Sequence, residues 1–221
     1  MWPLRRKPEH ADRVDDPLRA ASPVRKADGA LGSECAAARL GSAERKALLT
    51  VARASARRAL DPSAPDSTPR VEIPGRFGGV FVTIWNGSNL RGCIGTFQPT
   101  ADLGATVIDV TRSALGDPRF VSDPVMLDEL PELTFEVSVL SDLERTNDPL
   151  SLVPGTHGVL IRRGQQSGCF LPKVATDRGW NIEEFLSNCC TMKAKLPADA
   201  WRDADTEVSP FTVESFGDDL H

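Results

Sequence analysis

The chain has 221 residues, 40% of them apolar, with 26 Lys and Arg against 31 Asp and Glu and a formal net charge of −5. That length suits one domain or two small units sharing a core, and no apolar run approaches the roughly 18 residues that cross a bilayer, so no membrane contact is expected. Residues 1–60 hold 13 basic and 7 acidic groups; the remainder is therefore strongly acidic and set against binding a nucleic acid backbone.

Residues 1–41 are rich in Arg, Ala, Asp, Pro and Ser and poor in large apolar groups. Such a stretch cannot bury enough surface to offset its ordering entropy, so it is expected to be a disordered N-terminal extension, with the domain spanning 42–221. The start, Met1 to Pro8, is basic but has no apolar stretch behind it, unlike a secretory signal. The five cysteines, Cys35, Cys93, Cys169, Cys189 and Cys190, are odd in number and two are adjacent. No disulfide framework or zinc spacing follows from them. Reduced thiols in the cytoplasm are expected, with no metal site.

Ser42 is placed to cap a helix in which Leu48, Val51, Ala52, Ala56 and Ala59 recur at helical spacing; it ends before Asp61-Pro62. A loop with four prolines follows, to Pro74. Gly79 to Asn86 reads as a strand, Asn86-Gly87 as a hairpin turn, and Leu90 to Ile94 as the return strand. A helix is expected over 101–115, begun by Thr100 or Asp102 and ended by Gly116 before Asp117-Pro118-Arg119-Phe120. In the strand 133–140, Phe135, Val137 and Val139 alternate with Glu136 and Ser138. Short strands are expected at 159–162 and 169–171. A helix capped by Asn181, with Glu184 three residues on, comes next, and then a last strand near 208–216. Hairpin-paired strands with helices between some of them point to an α+β fold.

The chemistry-bearing residues centre on Leu90-Arg91-Gly92-Cys93-Ile94-Gly95. Glycines weaken a strand, and Gly92 and Gly95 mark a bulge or the close approach of a ligand or another backbone. Regular alternation puts Arg91 and Cys93 on one side, where a guanidinium can stabilise a thiolate and hold an anionic substrate; alternatively Cys93 is a small core residue. His157, between Gly155 and Gly158 in a loop, is a candidate acid or base, or a surface histidine. Glu136 lies in a cleft or on the solvated side of its sheet. Arg119 is free to pair with a carboxylate, and Lys193 can cap a helix C-terminus. The candidate catalytic set is thus Cys93, His157 and Glu136. The candidate substrate-binding set is Arg91, Gly92, Gly95, Arg119 and Lys193. No dinucleotide, P-loop, zincin or nucleophile-elbow signature is present, and no cofactor is expected.

These residues, taken in order, resemble the AMMECR family. Its hallmark LRGCIG stands unbroken at 90–95. Gly79-Val80-Phe81-Val82-Thr83 precedes it. Asp117-Pro118-Arg119-Phe120, Glu136 to Leu140, His157-Gly158, Phe170 to Ala175, Trp180, Phe185-Leu186, Lys193-Ala194 and Leu196-Pro197 follow, covering about residues 42–217. Departures are Lys173 where the family pattern has glutamine, Lys195 where it has glycine, and Val121-Ser122 where a proline-rich pair begins. The resemblance implies two unequal subdomains around a largely antiparallel or mixed sheet with flanking helices, and a cleft at the hallmark. It also implies, for a prokaryotic chain, association with a Memo-like protein and a radical S-adenosylmethionine protein. Two functional expectations stand: a small-molecule enzyme or enzyme component whose cleft holds Arg91, Cys93 and His157, or a non-catalytic module presenting that cleft to a peptide or protein.

Overall fold

The computed structural model describes residues 40–73, 75, 77–98 and 102–218. Apart from Leu40 and Gly41, the N-terminal stretch expected to be disordered lies outside the described residues. Packing already includes Leu40, which is buried and whose N–H donates to Glu214. Helix α1 (Ser42–Leu60) follows, with Gly41 rather than Ser42 at the cap and the Glu44 carboxylate accepting from the Gly41 N–H. Its buried stripe of Leu48, Val51, Ala52 and Ala56 is the one that the helical spacing requires.

The first sheet has the order β2-β1-β3-β7, with all neighbours antiparallel. Its strands are β1 (Gly79–Asn86), β2 (Asn89–Thr96), β3 (Leu133–Leu140) and β7 (Val213–Gly217). The β1–β2 loop is Gly87-Ser88, one residue later than expected, and Gly87 takes the positive φ that the tight turn requires. Helix α2 (Leu103–Leu115) is capped by Asp102, whose carboxylate accepts from the N–H groups of Gly104 and Ala105. Helices α1 and α2 cover one face of this sheet. Val80, Val82 and Ile84 of β1, with Phe135, Val137 and Val139 of β3, close the main core against them. Alternation then sends Phe81, Thr83 and Trp85, with Glu136, Ser138 and Leu140, to the opposite face.

The second sheet has the order β5-β4-β6, with strands β4 (Gly158–Arg163), β5 (Gln166–Phe170) and β6 (Glu207–Phe211). One of its faces is packed by helices α3 (Pro172–Arg178) and α4 (Ile182–Asn188) and by a π-helical turn, Cys189–Ala194. From its other face, Leu160 and Phe211 meet Phe97 and Leu140, with Phe81, Cys169 and Leu171 packed around them. The Phe81, Phe97 and Phe211 rings stack edge to face along this junction, with centroids 5.5 and 5.9 Å apart. The molecule is therefore α+β, as expected, built on two antiparallel sheets.

Two elements differ from expectation. The single last strand is two strands in two sheets, β6 and β7, separated by Thr212. Ser141 holds that joint: its N–H donates to the Thr212 carbonyl, and its hydroxyl accepts from the Thr212 N–H. Helix α3 was not expected; Pro172 occupies its first helical turn, where no N–H is needed.

Candidate functional site

The hallmark segment is a strand with one extra residue. Trp85 pairs with Leu90, but the next pair is Ile84 with Gly92, so Arg91 has no partner on β1. This bulge resets the alternation of β2. Gly92 and Ile94 now share the helix-covered face with Ile84 and Val82, and Cys93 turns to the opposite face beside Thr83. Gly92 lies under the Ala114 carbonyl at the end of α2, and Gly95 lies under the Phe81 ring; a Cβ at either position would collide. The close approaches that these glycines permit are thus a backbone and an aromatic ring of the same chain.

Arg91 and Cys93 are not on one side, as regular alternation would place them. The Arg91 side chain is buried and fully engaged. Its Nε and Nη2 donate to the two carboxylate oxygens of Glu129 at 2.9 and 2.8 Å, its Nη1 donates to Asp123 at 2.7 Å, and Nη2 also reaches the Pro124 carbonyl. Hydrogen bonding to Arg91, opposed by burial and helped by Met126 N–H and Asn86, holds the Glu129 carboxyl down to about 2. Reciprocally, the bond to Glu129 raises Arg91 further above its ordinary range. This is a structural tie between β2 and the Leu127–Glu132 turn.

The guanidinium that does neighbour Cys93 belongs to Arg119. Asp117 caps the short turn Pro118–Phe120, and its side chain is 1% exposed. It accepts from Arg119 Nε at 3.0 Å, Arg119 Nη2 at 2.5 Å, the Arg119 N–H and the Cys93 N–H. Arg119 Nη2 in turn donates to the Cys93 carbonyl at 3.1 Å. The Arg119 bonds, outweighing burial, hold the Asp117 carboxyl down to about 2. The Asp117–Arg119 pair thereby occupies the outward-facing N–H and C=O of Cys93 on an edge strand, where a further strand would otherwise pair.

On the open face, the Thr83 hydroxyl donates to Cys93 Sγ at 3.2 Å. Thr83 is opposite Cys93 on β2 and opposite Glu136 on β3, so the three form one row across the sheet, all half-buried. The Glu136 side chain makes no hydrogen bond or ion pair with a described residue.

His157 and Lys193 are held elsewhere. The Val153 N–H donates to His157 Nδ1 at 3.0 Å, and the His157 N–H donates back to the Val153 carbonyl; burial lowers the imidazole below its ordinary value. The Lys193 ammonium lies over the Phe170 ring, 5.6 Å from its centroid, in the second subdomain. Neither shares a hydrogen bond or ion pair with Cys93, Arg119 or Glu136 among the described residues. Cys189 and Cys190 are fully buried, and desolvation pushes both thiols up, Cys189 strongly. Among the described residues, no group of three or more His, Cys, Asp or Glu side chains is arranged to hold a metal ion. No described helix is long and apolar enough to cross a membrane. Sequence reasoning missed Thr83 and Asp117: the first faces Cys93 only because of the bulge, and the second read as a turn former.

Two antiparallel sheets with flanking helices make an architecture that comparison also finds. The crystal structure of uncharacterized protein PH0010 from Pyrococcus horikoshii superposes with a TM-score of 0.69 at 34% identity, covering 82% of this chain and 94% of that one. A Methanothermobacter thermautotrophicus protein is 43% identical over 162 residues, 70% of this chain and 82% of its own length. Protein TK0174 of Thermococcus kodakarensis is 43% identical over 172 residues, 72% and 80% of the two chains. The AMMECR1 family model matches residues 47–216. The chain belongs to the AMMECR1 family, as the LRGCIG hallmark implied; the names of these relatives state no activity.

Proposed function

We propose that the protein is a small-molecule enzyme, or a component of one, acting through the row Cys93–Thr83–Glu136 on the open sheet face. The carrying observation is the hydrogen bond from the Thr83 hydroxyl to Cys93 Sγ. A donor aimed at sulfur interacts more strongly as the sulfur gains charge, which favours a nucleophile over an inert core thiol. Cys93 is the nucleophile in this reading. Glu136, on the far side of Thr83 and without a hydrogen bond or ion pair to a described residue, sets the charge at the other end of the row; the thiol proton passes to solvent base, and the thiolate bonds to an electrophilic carbon as that carbon's leaving group departs. Asp117 and Arg119 position the Cys93 backbone. His157 makes no hydrogen bond to Cys93, Thr83 or Glu136 among the described residues and is left out of this reading.

The test is the rate of Cys93 alkylation by iodoacetamide across pH in the folded wild type, Thr83→Val and Glu136→Gln. Each substitution is expected to displace the pH–rate profile of Cys93 while circular dichroism stays that of the folded chain. Three superimposable profiles would leave Cys93 a bystander and favour a non-catalytic binding module.

A further inference from the structure

We infer that Arg119 anchors an anionic group of the molecule that Cys93 attacks, so that the ligand class is a small carboxylate or phosphoryl compound with an electrophilic carbon next to its charge. This rests on the reading of Cys93 as a nucleophile and adds to it what the nucleophile meets.

The two guanidiniums bonded to the hallmark segment or held within it differ in what they have left to offer. Arg91 makes four hydrogen bonds, to two carboxylates and a carbonyl, and its side chain is 10% exposed. It has little left to offer an incoming anion. Arg119 is 57% exposed. Its Nε and Nη2 are bound to Asp117 and the Cys93 carbonyl, while Nη1 makes no hydrogen bond to a described residue. A guanidinium carries five N–H donors in a fixed plane, so the outward edge of Arg119 presents unused donors.

Asp117 does not cancel that edge. Its carboxylate is buried beneath the pair and shared among the side chain and N–H of Arg119 and the N–H of Cys93. It fixes the orientation of Arg119, and the Phe120 ring lies 5.6 Å from the guanidinium carbon. Arg119 is therefore preorganised at the sheet edge, bonded to the backbone carbonyl of the residue that carries the thiol. Glu136 stands on the other side of Cys93, two strand spacings or roughly 10 Å away, so the negative end of a ligand is directed to Arg119 and its neutral end toward Glu136 and Trp85. In chain order the anion anchor comes from the turn after α2, not from the hallmark segment itself.

Iodoacetate and iodoacetamide form the same S–C bond and release the same iodide, with the thiol proton passing to the solvent base. They differ only in that one carries a carboxylate. The rates of both reagents at Cys93 in the native full chain are to be compared with their rates at glutathione. The iodoacetate-to-iodoacetamide ratio at Cys93 is expected to exceed that of glutathione by about tenfold, and the iodoacetate rate is expected to saturate with concentration. Arg119→Gln should bring the ratio to the glutathione value. A ratio at Cys93 equal to that of glutathione, with no saturation in wild type, overturns the anion site and leaves the nucleophile standing. No reaction with either reagent before unfolding overturns the nucleophile, and the anion site with it.

Discussion

Were β2 a regular partner of β1, counting from the Gly87-Ser88 loop would set Arg91 opposite Ile84, Gly92 opposite Thr83 and Cys93 on the helix-covered face. The observed register skips Arg91 and reverses those assignments. The skipped residue is locked in place by Glu129 and Asp123, so the bulge and the ion pairs depend on one another. Arg91→Met should cost about 3 kcal/mol, because it leaves the half-buried Glu129 carboxylate without its fork. Urea denaturation checks this, and a loss under about 1 kcal/mol would show that the bulge holds itself.

At the scale of elements, the hydrophobic pattern located most of the fold. Strand β3 spans the eight residues that its alternation marked, and Val137 is fully buried on the face assigned to it. Val137→Asp should therefore unfold the domain, since an unpaired buried charge costs several kcal/mol against a total of roughly 5–15, whereas Glu136→Gln on the open face should leave the melting temperature nearly unchanged. Equal melting temperatures for Val137→Asp and wild type would reverse the faces of β3. What periodicity could not convey was where a pattern breaks by a single residue. The bulge at Arg91 and the passage of the last strand from one sheet to the other at Thr212 are set by tertiary partners, namely Glu129 for the first and Ser141 for the second. Arg119 stood among the candidate binding residues, but Asp117, which fixes it, was visible only as part of a helix-ending turn. Lys195 has a local cost: it is a non-glycine residue at φ 59°, closing the π-helical turn with its N–H on the Cys190 carbonyl. Lys195→Gly should raise stability by about 0.5–1 kcal/mol, the relief of a left-handed residue less the entropy of a new glycine; an unchanged or lower melting temperature would contradict it.

For the whole molecule, two sheets joined at a stack of aromatic rings leave one end of the larger sheet's second face to Trp85, Thr83, Cys93 and Glu136, while Phe81 and Leu140 at the other end meet the second subdomain. The same architecture sets an acid response. Asp117 and Glu129 ionise near 2 in the folded chain, below the 3.8 and 4.5 of unperturbed carboxyls, so both favour folding in the charged form. Their contribution is complete above about pH 4.5 and is lost as pH falls toward 2. Glu129→Gln should lower stability at neutral pH and flatten its decline across that window. An unaltered slope would mean that the Arg91–Glu129 pair is not among the groups driving acid unfolding. The central claim is that the bulge brings Cys93, and neither of the adjacent cysteines, to an accessible face. It is tested most directly by labelling the native chain with iodoacetamide at neutral pH and reading each cysteine by mass spectrometry. Cys93 should be modified in the folded protein, while Cys189 and Cys190, fully buried, should be modified only after unfolding in urea. Protection of Cys93 equal to that of Cys189 would contradict the account.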